Sequence, residues 1–286
     1  MRFLSARLSQ KRRAPLAGLV VLVMGLLFTG GVYAVLSPAT ASDELASDQA
    51  LVDQGRELFL VGCASCHGRN AEGVVTQNGD QYGPSLVGVG AAAVDFQVET
   101  GRMPMARPGV QAPRKAPVYT EEETRALAAY VASLGPGPSI PAEEEYSSDA
   151  IPEGEREEAL VRGGEFFRTN CTACHNFEGS GGALPGGKFA PSLEGVSDKH
   201  MYEAMLTGPQ QMPVFSDDVL TPEQKRDVIF YVQSLGENPK YGGFAMGGLG
   251  PVAEGLFAWI LGIGGLVGFA VWIAAHTAKS KKGKQA

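Results

Sequence analysis

Two pentapeptides carry the residue types best able to do chemistry. They are Cys63-Ala64-Ser65-Cys66-His67 and Cys171-Thr172-Ala173-Cys174-His175. Two thiols three positions apart, with an imidazole directly after the second, is the attachment spacing of c-type haem. Each sulfur can form a thioether with a haem vinyl group, and the histidine then falls beneath the ring, where it can ligate iron. The chain has four cysteines and the two motifs use all of them. A thioredoxin-like dithiol or a four-thiolate zinc site would compete for the same sulfurs. The zinc site leaves both adjacent histidines unexplained, and the dithiol asks for a βαβ setting that the sequence lacks. With both haems attached, no cysteine remains for a disulfide. Covalent haem attachment takes place outside the bacterial cytoplasm, so the motifs also argue for export.

A low-spin haem needs a sixth ligand, and methionine sulfur is the usual partner of histidine in cytochromes c. Gly101-Arg102-Met103-Pro104 follows the first motif and Gly208-Pro209-Gln210-Gln211-Met212-Pro213 the second, so the first-Cys-to-Met spacing is 40 residues in one copy and 41 in the other. A lone methionine is ordinary core filler; two Met-Pro pairs at matched distances from two haem motifs are not. Met105 competes with Met103 for the first iron, and Met103 is preferred because it aligns with Met212. Of the two remaining histidines, His200 lies in a polar stretch and reads as a surface residue, and His276 reads as the marker of a membrane edge.

The elements that must position these residues occur twice. A helix is expected over residues 48–60, leading straight into the first motif, then glycine-rich polar chain, then Gly83-Pro84-Ser85-Leu86-Val87-Gly88-Val89. A short helix over 91–100 precedes Met103. Thr120 with Glu123 forms a capping box for a helix that ends Ala129-Tyr130-Val131-Ala132-Ser133-Leu134-Gly135. The second copy has its leading helix over 154–170, then Ala190-Pro191-Ser192-Leu193-Glu194-Gly195-Val196. Pro222 stands at the first position of a helix ending Phe230-Tyr231-Val232-Gln233-Ser234-Leu235-Gly236. The order helix, haem motif, Pro-Ser-Leu, Met-Pro, closing helix is thus an internal duplication. The copies differ after the methionine, with 17 residues from Met103 to Thr120 but 9 from Met212 to Thr221. The extra segment carries Arg107, Arg114 and Lys115 and is either a partner-docking loop or a neutral insertion. Residues 137–153, rich in Pro, Glu and Ser, read as a linker whose Glu143-Glu144-Glu145 run is solvated.

Charge is polarised. The net charge is -7, yet residues 1–41 hold five Lys/Arg and residues 276–286 hold four, with no acid in either segment. The middle therefore carries 15 basic residues against all 31 acidic ones, unsuited to nucleic acid and able to face a basic partner. Residues 14–36 and 255–275 are uncharged runs of 23 and 21 residues, each long enough to span a bilayer. Basic residues precede the first and follow the second, which places both termini in the cytoplasm. Ala39-Thr40-Ala41 resembles a signal-peptidase site, so the first run is either a retained helix or a cleaved signal. The expected division is 1–41 basic N-terminus and first span, 48–136 first haem domain, 137–153 linker, 154–236 second haem domain, 237–250 glycine-rich linker, 251–276 second span and 277–286 basic tail.

Helix, C-x-x-C-H, Met-Pro loop and C-terminal helix resemble class I cytochrome c over residues 50–136 and 154–236. Two such domains with a C-terminal membrane helix resemble the cytochrome cc subunit of the actinobacterial menaquinol:cytochrome c reductase. The resemblance implies an all-α fold of two tandem class I cytochrome c domains between an N-terminal and a C-terminal transmembrane helix. It implies two covalently bound haem c groups, one on Cys63 and Cys66 with His67 and Met103 on its iron, the other on Cys171 and Cys174 with His175 and Met212. It further implies that the Pro84 and Pro191 carbonyls orient the two histidines through Nδ1, and that the partners are a Rieske iron–sulfur protein, cytochrome b and an aa3-type oxidase. With both irons six-coordinate, the expected work is electron relay at the cell membrane. A dihaem dehydrogenase or peroxidase, which needs an open iron position, and a subunit of a cytochrome c oxidase are the alternatives.

Overall fold

The computed structural model describes residues 17–36, 40–79, 81–237 and 255–282. The basic residues before position 14, Ala39, most of the 237–250 linker and Lys284 lie outside the described residues. The chain divides into two compact units, Met1–Asp53 and Gln54–Ala286.

The first unit holds helix α1, Ala17–Leu36, and the opening turns of α2, Thr40–Gly62. α1 presents apolar side chains to solvent on every face described, Phe28 most of all. Helix α2 begins eight residues before the expected position 48. Its early turns are polar, and Gln49 donates to Asp53 at 3.0 Å, one helical turn on.

The second unit contains both haem motifs, each in its own lobe. In the first lobe the end of α2 runs into α3, Ala64–His67. A hairpin of β1, Val74–Val75, and β2, Gln81–Gly83, follows, then α4, Ala91–Glu99, and α5, Glu121–Ser133. The second lobe repeats this after a short α6, Glu143–Tyr146. It has α7, Arg156–Asn170, α8, Thr172–His175, a hairpin of β3, Gly182–Leu184, and β4, Lys188–Ala190, α9, Asp198–Thr207, and α10, Pro222–Glu237. The architecture is helical as expected, with two small antiparallel hairpins added, the first where a glycine-rich polar stretch was foreseen.

Each lobe is closed by its first helix crossing its last at a glycine. A Cβ built on Gly55 would lie 1.9 Å from the Ala126 carbonyl oxygen, and one on Gly163 would lie 2.0 Å from that of Asp227. Only hydrogen fits, so the backbones meet. Four residues on, an aromatic packs beside each crossing: Phe59 on Tyr130, with ring centroids 5.2 Å apart, and Phe167 on Tyr231, at 5.6 Å. Both phenylalanines are fully buried. Four residues further, on the same face, stand Cys63 and Cys171. The spacing Gly-x3-Phe-x3-Cys thus sets the attachment cysteines one turn above the core.

Helix ends are made as the sequence reads. The Thr120 hydroxyl accepts from Glu123 N–H at 3.2 Å while the Glu123 carboxylate accepts from Thr120 N–H at 2.8 Å. Thr221 and Gln224 exchange the same pair of bonds at 3.3 and 3.0 Å. The supposed linker does differ. Ser148 donates from N–H and Oγ to Asp198 at 3.0 and 2.8 Å, Arg226 holds the Glu144 carbonyl at 2.7 Å, and Ile151 is buried. That stretch is therefore the rim of the second lobe.

Among the described residues one helix is long and apolar enough to cross a membrane, Gly255–His276, with 22 residues. It includes a π-helical stretch, Ala258–Ile263, before α11, Gly264–Lys282. The apolar run described within α1 is shorter, Gly18–Gly30, so a second span does not follow from the helix itself.

Gly163→Ala should push α7 off the Asp227 carbonyl and destabilise the second lobe by about 1–3 kcal/mol or more. Gly154→Ala, with nothing within 4 Å of its Cβ position, should stay within about 0.5 kcal/mol. Thermal unfolding followed by far-UV circular dichroism checks the pair; equal midpoints would remove the close crossing as the reason for this glycine.

Candidate haem sites

The two motifs adopt one local structure. Cys63 N–H donates to the Phe59 carbonyl at 2.8 Å and Cys171 N–H to that of Phe167 at 2.9 Å. A single helical turn follows, in which the His67 and His175 N–H groups bond back to the Cys63 and Cys171 carbonyls at 3.0 and 2.9 Å. That turn places both sulfurs and the imidazole on one side. None of the four cysteines is paired in a disulfide and all stand at partly exposed positions, while His67 and His175 are buried, 9% and 8% exposed.

The imidazoles are aimed by prolines. Nδ1 of His67 lies 2.8 Å from the Pro84 carbonyl oxygen, and Nδ1 of His175 lies 3.0 Å from that of Pro191, where the resemblance puts them. A carbonyl only accepts, so Nδ1 carries the proton and the Nε2 lone pair is left for a metal. Burial pushes the His175 imidazolium below its ordinary value against the opposing Pro191 bond, which keeps the ring in its ligating form. Close backbone approach supports the prolines: a Cβ on Gly83 would meet the Cys66 carbonyl oxygen at 2.0 Å.

The thiols do not suit a dithiol oxidoreductase, which works through a lowered cysteine. Burial and the neighbouring Cys66 push Cys63 up to about 11, and burial and Cys174 do the same to Cys171. Nor do the four thiols gather for zinc. Among the described residues no three His, Cys, Asp or Glu side chains are grouped to hold a metal ion.

In the second lobe Cys171, Cys174, His175 and Met212 line one cleft of about 1300 Å³, counting space open to solvent. Its other walls are mainly apolar and include Phe167, Leu193, Met205 and Ile229. The residues present fit a haem: two cysteine sulfurs, an imidazole whose Nδ1 is engaged by Pro191, and a methionine thioether line the same cavity. In the first lobe Cys63, Cys66 and His67 share the turn of α3, and Met103 follows α4, its N–H donating to the Gln97 carbonyl at 2.9 Å. The Met105 methyl lies near Gly109, 3.6 Å from where a Cβ on that glycine would be.

Sequence reasoning missed the contact between the lobes. Helix α4 packs on α9, and charged groups meet there. Lys199 Nζ reaches Asp95 at 2.5 Å and Glu99 at 3.2 Å, and His200 Nε2 donates to Glu99 at 2.9 Å. The His200 ring also stands edge-on to Phe96, 6.1 Å between centroids. His200 is therefore an interface residue, which corrects its reading as a surface one; its partners lie a hundred residues away and leave no local trace. Asp95 and Glu203 are fully buried. Burial first, then the facing Asp95 carboxylate, push Glu203 up to about 10, so Glu203 is protonated at neutral pH. Burial opposes the Lys199 charge, but the Asp95 bond and the surrounding carboxylates outweigh it and raise Lys199.

The basic insertion belongs to the same contact. Gln111 makes a reciprocal pair of bonds with the Phe189 backbone, donating to its carbonyl at 2.7 Å and accepting from its N–H at 3.0 Å. The loop expected to be a partner-docking or neutral insertion is docked on the second lobe of its own chain.

Fold and site together define a tandem c-type cytochrome. The family model for cytochrome c matches residues 52–135, and that for cytochrome c oxidase, cbb3-type, subunit III matches residues 158–232. The chain is 45% identical over 277 residues to a cytochrome bc1 complex cytochrome c subunit of Corynebacterium efficiens, covering 94% of this chain and 92% of that one. It is 44% identical over 276 residues to the protein of the same name in Mycobacterium tuberculosis, covering 96% and 95%. A cbb3-type cytochrome c oxidase subunit CcoP of Helicobacter pylori is 26% identical over 198 residues, covering 65% and 59%. The chain belongs to the family of cytochrome bc1 complex cytochrome c subunits.

Glu203 has an ordinary value of 4.5, so the folded chain holds a proton that the unfolded chain releases above that pH. Stability should therefore fall as pH rises from about 5 to 10, by up to about 1.4 kcal/mol per pH unit from this group. The groups facing it are Asp95 and Glu99 on α4, Lys199 on its own helix α9, and Tyr146 on α6. Glu203→Gln keeps a donor and cannot ionise. Its thermal midpoint should decline less than wild type between pH 6 and 9; parallel declines would show that Glu203 is not the titrating group.

Proposed function

We propose that this chain holds two covalently attached c-type haems and relays single electrons as the cytochrome c subunit of a quinol:cytochrome c reductase. The observation that carries the reading is the doubled site, in which each lobe presents two thiols and one buried imidazole whose Nδ1 is engaged by a proline carbonyl. Family membership supplies the complex. Cys63 and Cys66 would hold one haem and Cys171 and Cys174 the other. His67 with Met103 and His175 with Met212 would be the axial pairs, Met103 being preferred to Met105 because it aligns with Met212. The haem supplies reversible one-electron chemistry at iron. The protein supplies the ligands, excludes water with apolar walls such as Phe167 and Ile229, and raises the potential through methionine ligation. Filling both axial positions leaves no place for a substrate, which favours a relay over a dehydrogenase or peroxidase.

The electron donor is read as a Rieske iron–sulfur subunit beside a cytochrome b subunit, and the acceptor as an aa3-type cytochrome c oxidase. Membership of an oxidase is the second reading, favoured by the cbb3-type model over residues 158–232. The CcoP relative covers less of the chain at lower identity than the bc1 relatives do. Residues 14–36 and 255–275 are read as two membrane helices with the lobes on the extracytoplasmic side and both termini cytoplasmic, following their flanking Lys and Arg.

Intact mass spectrometry of the mature chain tests the core of this reading. The expected mass is the polypeptide plus two haems; a mass equal to its amino acids alone would sink the proposal, and a chain starting after residue 41 would convert the first helix into a signal. Cys63→Ala with Cys66→Ala should leave one covalent haem by pyridine haemochrome. Met212→Leu should lower one of two midpoint potentials and open that iron to carbon monoxide, whereas an unchanged redox titration would count against Met212 as ligand.

A further inference from the structure

Two guanidiniums from the first lobe stand in the cleft of the second. Arg102 and Arg114 line the same cavity as Cys171, Cys174, His175 and Met212. They are brought together by a close backbone approach: Gly101 has φ +66°, and a Cβ there would lie 2.1 Å from the Lys115 carbonyl oxygen. The Gln111 bonds to Phe189 fix the intervening loop on the second lobe. Arg102 is half-buried, its guanidinium 4.6 Å from the centre of the Phe96 ring.

Neither cation is neutralised by a carboxylate among the described residues. Burial and the nearby Arg114 both disfavour the Arg102 charge. Two like charges lining a mainly apolar cleft, in a chain with many acids elsewhere, call for an anion that enters the cleft. Guanidinium matches a carboxylate in a two-bond fork, and the haem read into this cleft carries two propionates.

We propose that Arg102 and Arg114 hold the propionate carboxylates of the second haem, so that the first lobe completes the second lobe's site. The inference rests on the haem reading of that cleft. It gives the eight-residue surplus of the first copy a task, and it ties the second haem's potential to the contact between lobes. Cations beside the propionates favour the reduced iron, so removing them should lower the potential of that haem alone.

The test is a redox titration of the full-length protein in detergent. The two waves are assigned by Met212→Leu, and haem content is read by pyridine haemochrome. Wild type with fewer than two haems would overturn the haem reading itself before any arginine variant is made. With two haems present, Arg102→Gln combined with Arg114→Gln should shift the second wave roughly tenfold toward the oxidised form, about 59 mV for one electron. The first wave should stay in place, and Arg114→Lys should recover part of what Arg114→Gln loses. Should the double variant fail to take up its second haem, exposed Arg114 alone decides through Arg114→Gln. The proposal is overturned if the second wave does not move, or if the first wave moves in its place.

Discussion

The contact on which each lobe depends is a glycine laid against a carbonyl of the closing helix. Gly55 and Gly163 let the first and last helices touch backbone to backbone. That approach buries Phe59 and Phe167 and so fixes the height of the next turn. The attachment cysteines begin one turn beyond, which means the core decides where the sulfurs stand before any cofactor arrives. Glycine in a helix interior costs roughly 0.5–1 kcal/mol relative to alanine, and the crossing more than offsets it through the aromatics it buries.

A second constraint acts across each site. The Pro84 and Pro191 carbonyls take the Nδ1 protons of His67 and His175, so tautomer and ring plane are both settled. Proline suits the task because its fixed φ stiffens the acceptor. The glycine before Pro84 brings that strand onto the Cys66 backbone. The imidazole is thereby held from the side opposite to its own helix, and its rotation is blocked by a chain segment 16 or 17 residues away.

What could be read from the sequence was whatever is local or repeated. The pentapeptides, the matched Met103 and Met212, the repeated Pro-Ser-Leu and the Thr120 capping box all have signatures within a few residues. Gly55 and Gly163 did not stand out, because a helix glycine shows its reason only when the opposing carbonyl is in place. Residues 144–151 looked like a linker by composition, yet Ile151 and Ser148 are tied into the second lobe. The interface was wholly illegible. His200 and Glu99 are 101 residues apart and Gln111 and Phe189 are 78, and no periodicity links such pairs.

The duplication explains why that interface has its form. Helices α4 and α9 occupy equivalent places in the two lobes, each ending in a Thr-Gly pair whose glycine has positive φ, and these two helices pack on each other. A contact between equivalent elements would begin nearly symmetric; here it is made one-way by charge, with acids Asp95 and Glu99 on α4 and Lys199 and His200 on α9. Burying such groups is expensive, and replacing a buried ionic cluster by apolar residues is often neutral or stabilising. The cluster is therefore poorly explained as a source of stability and better explained as register. Lys199 meets Asp95 and Glu99 together at only one rotation of α9 against α4, and an apolar face of the same size would tolerate many. A relay between two sites needs that single setting, since electron transfer depends on how the sites are spaced. The Gln111 pair and the two arginines at the second cleft are fixed by the same docking.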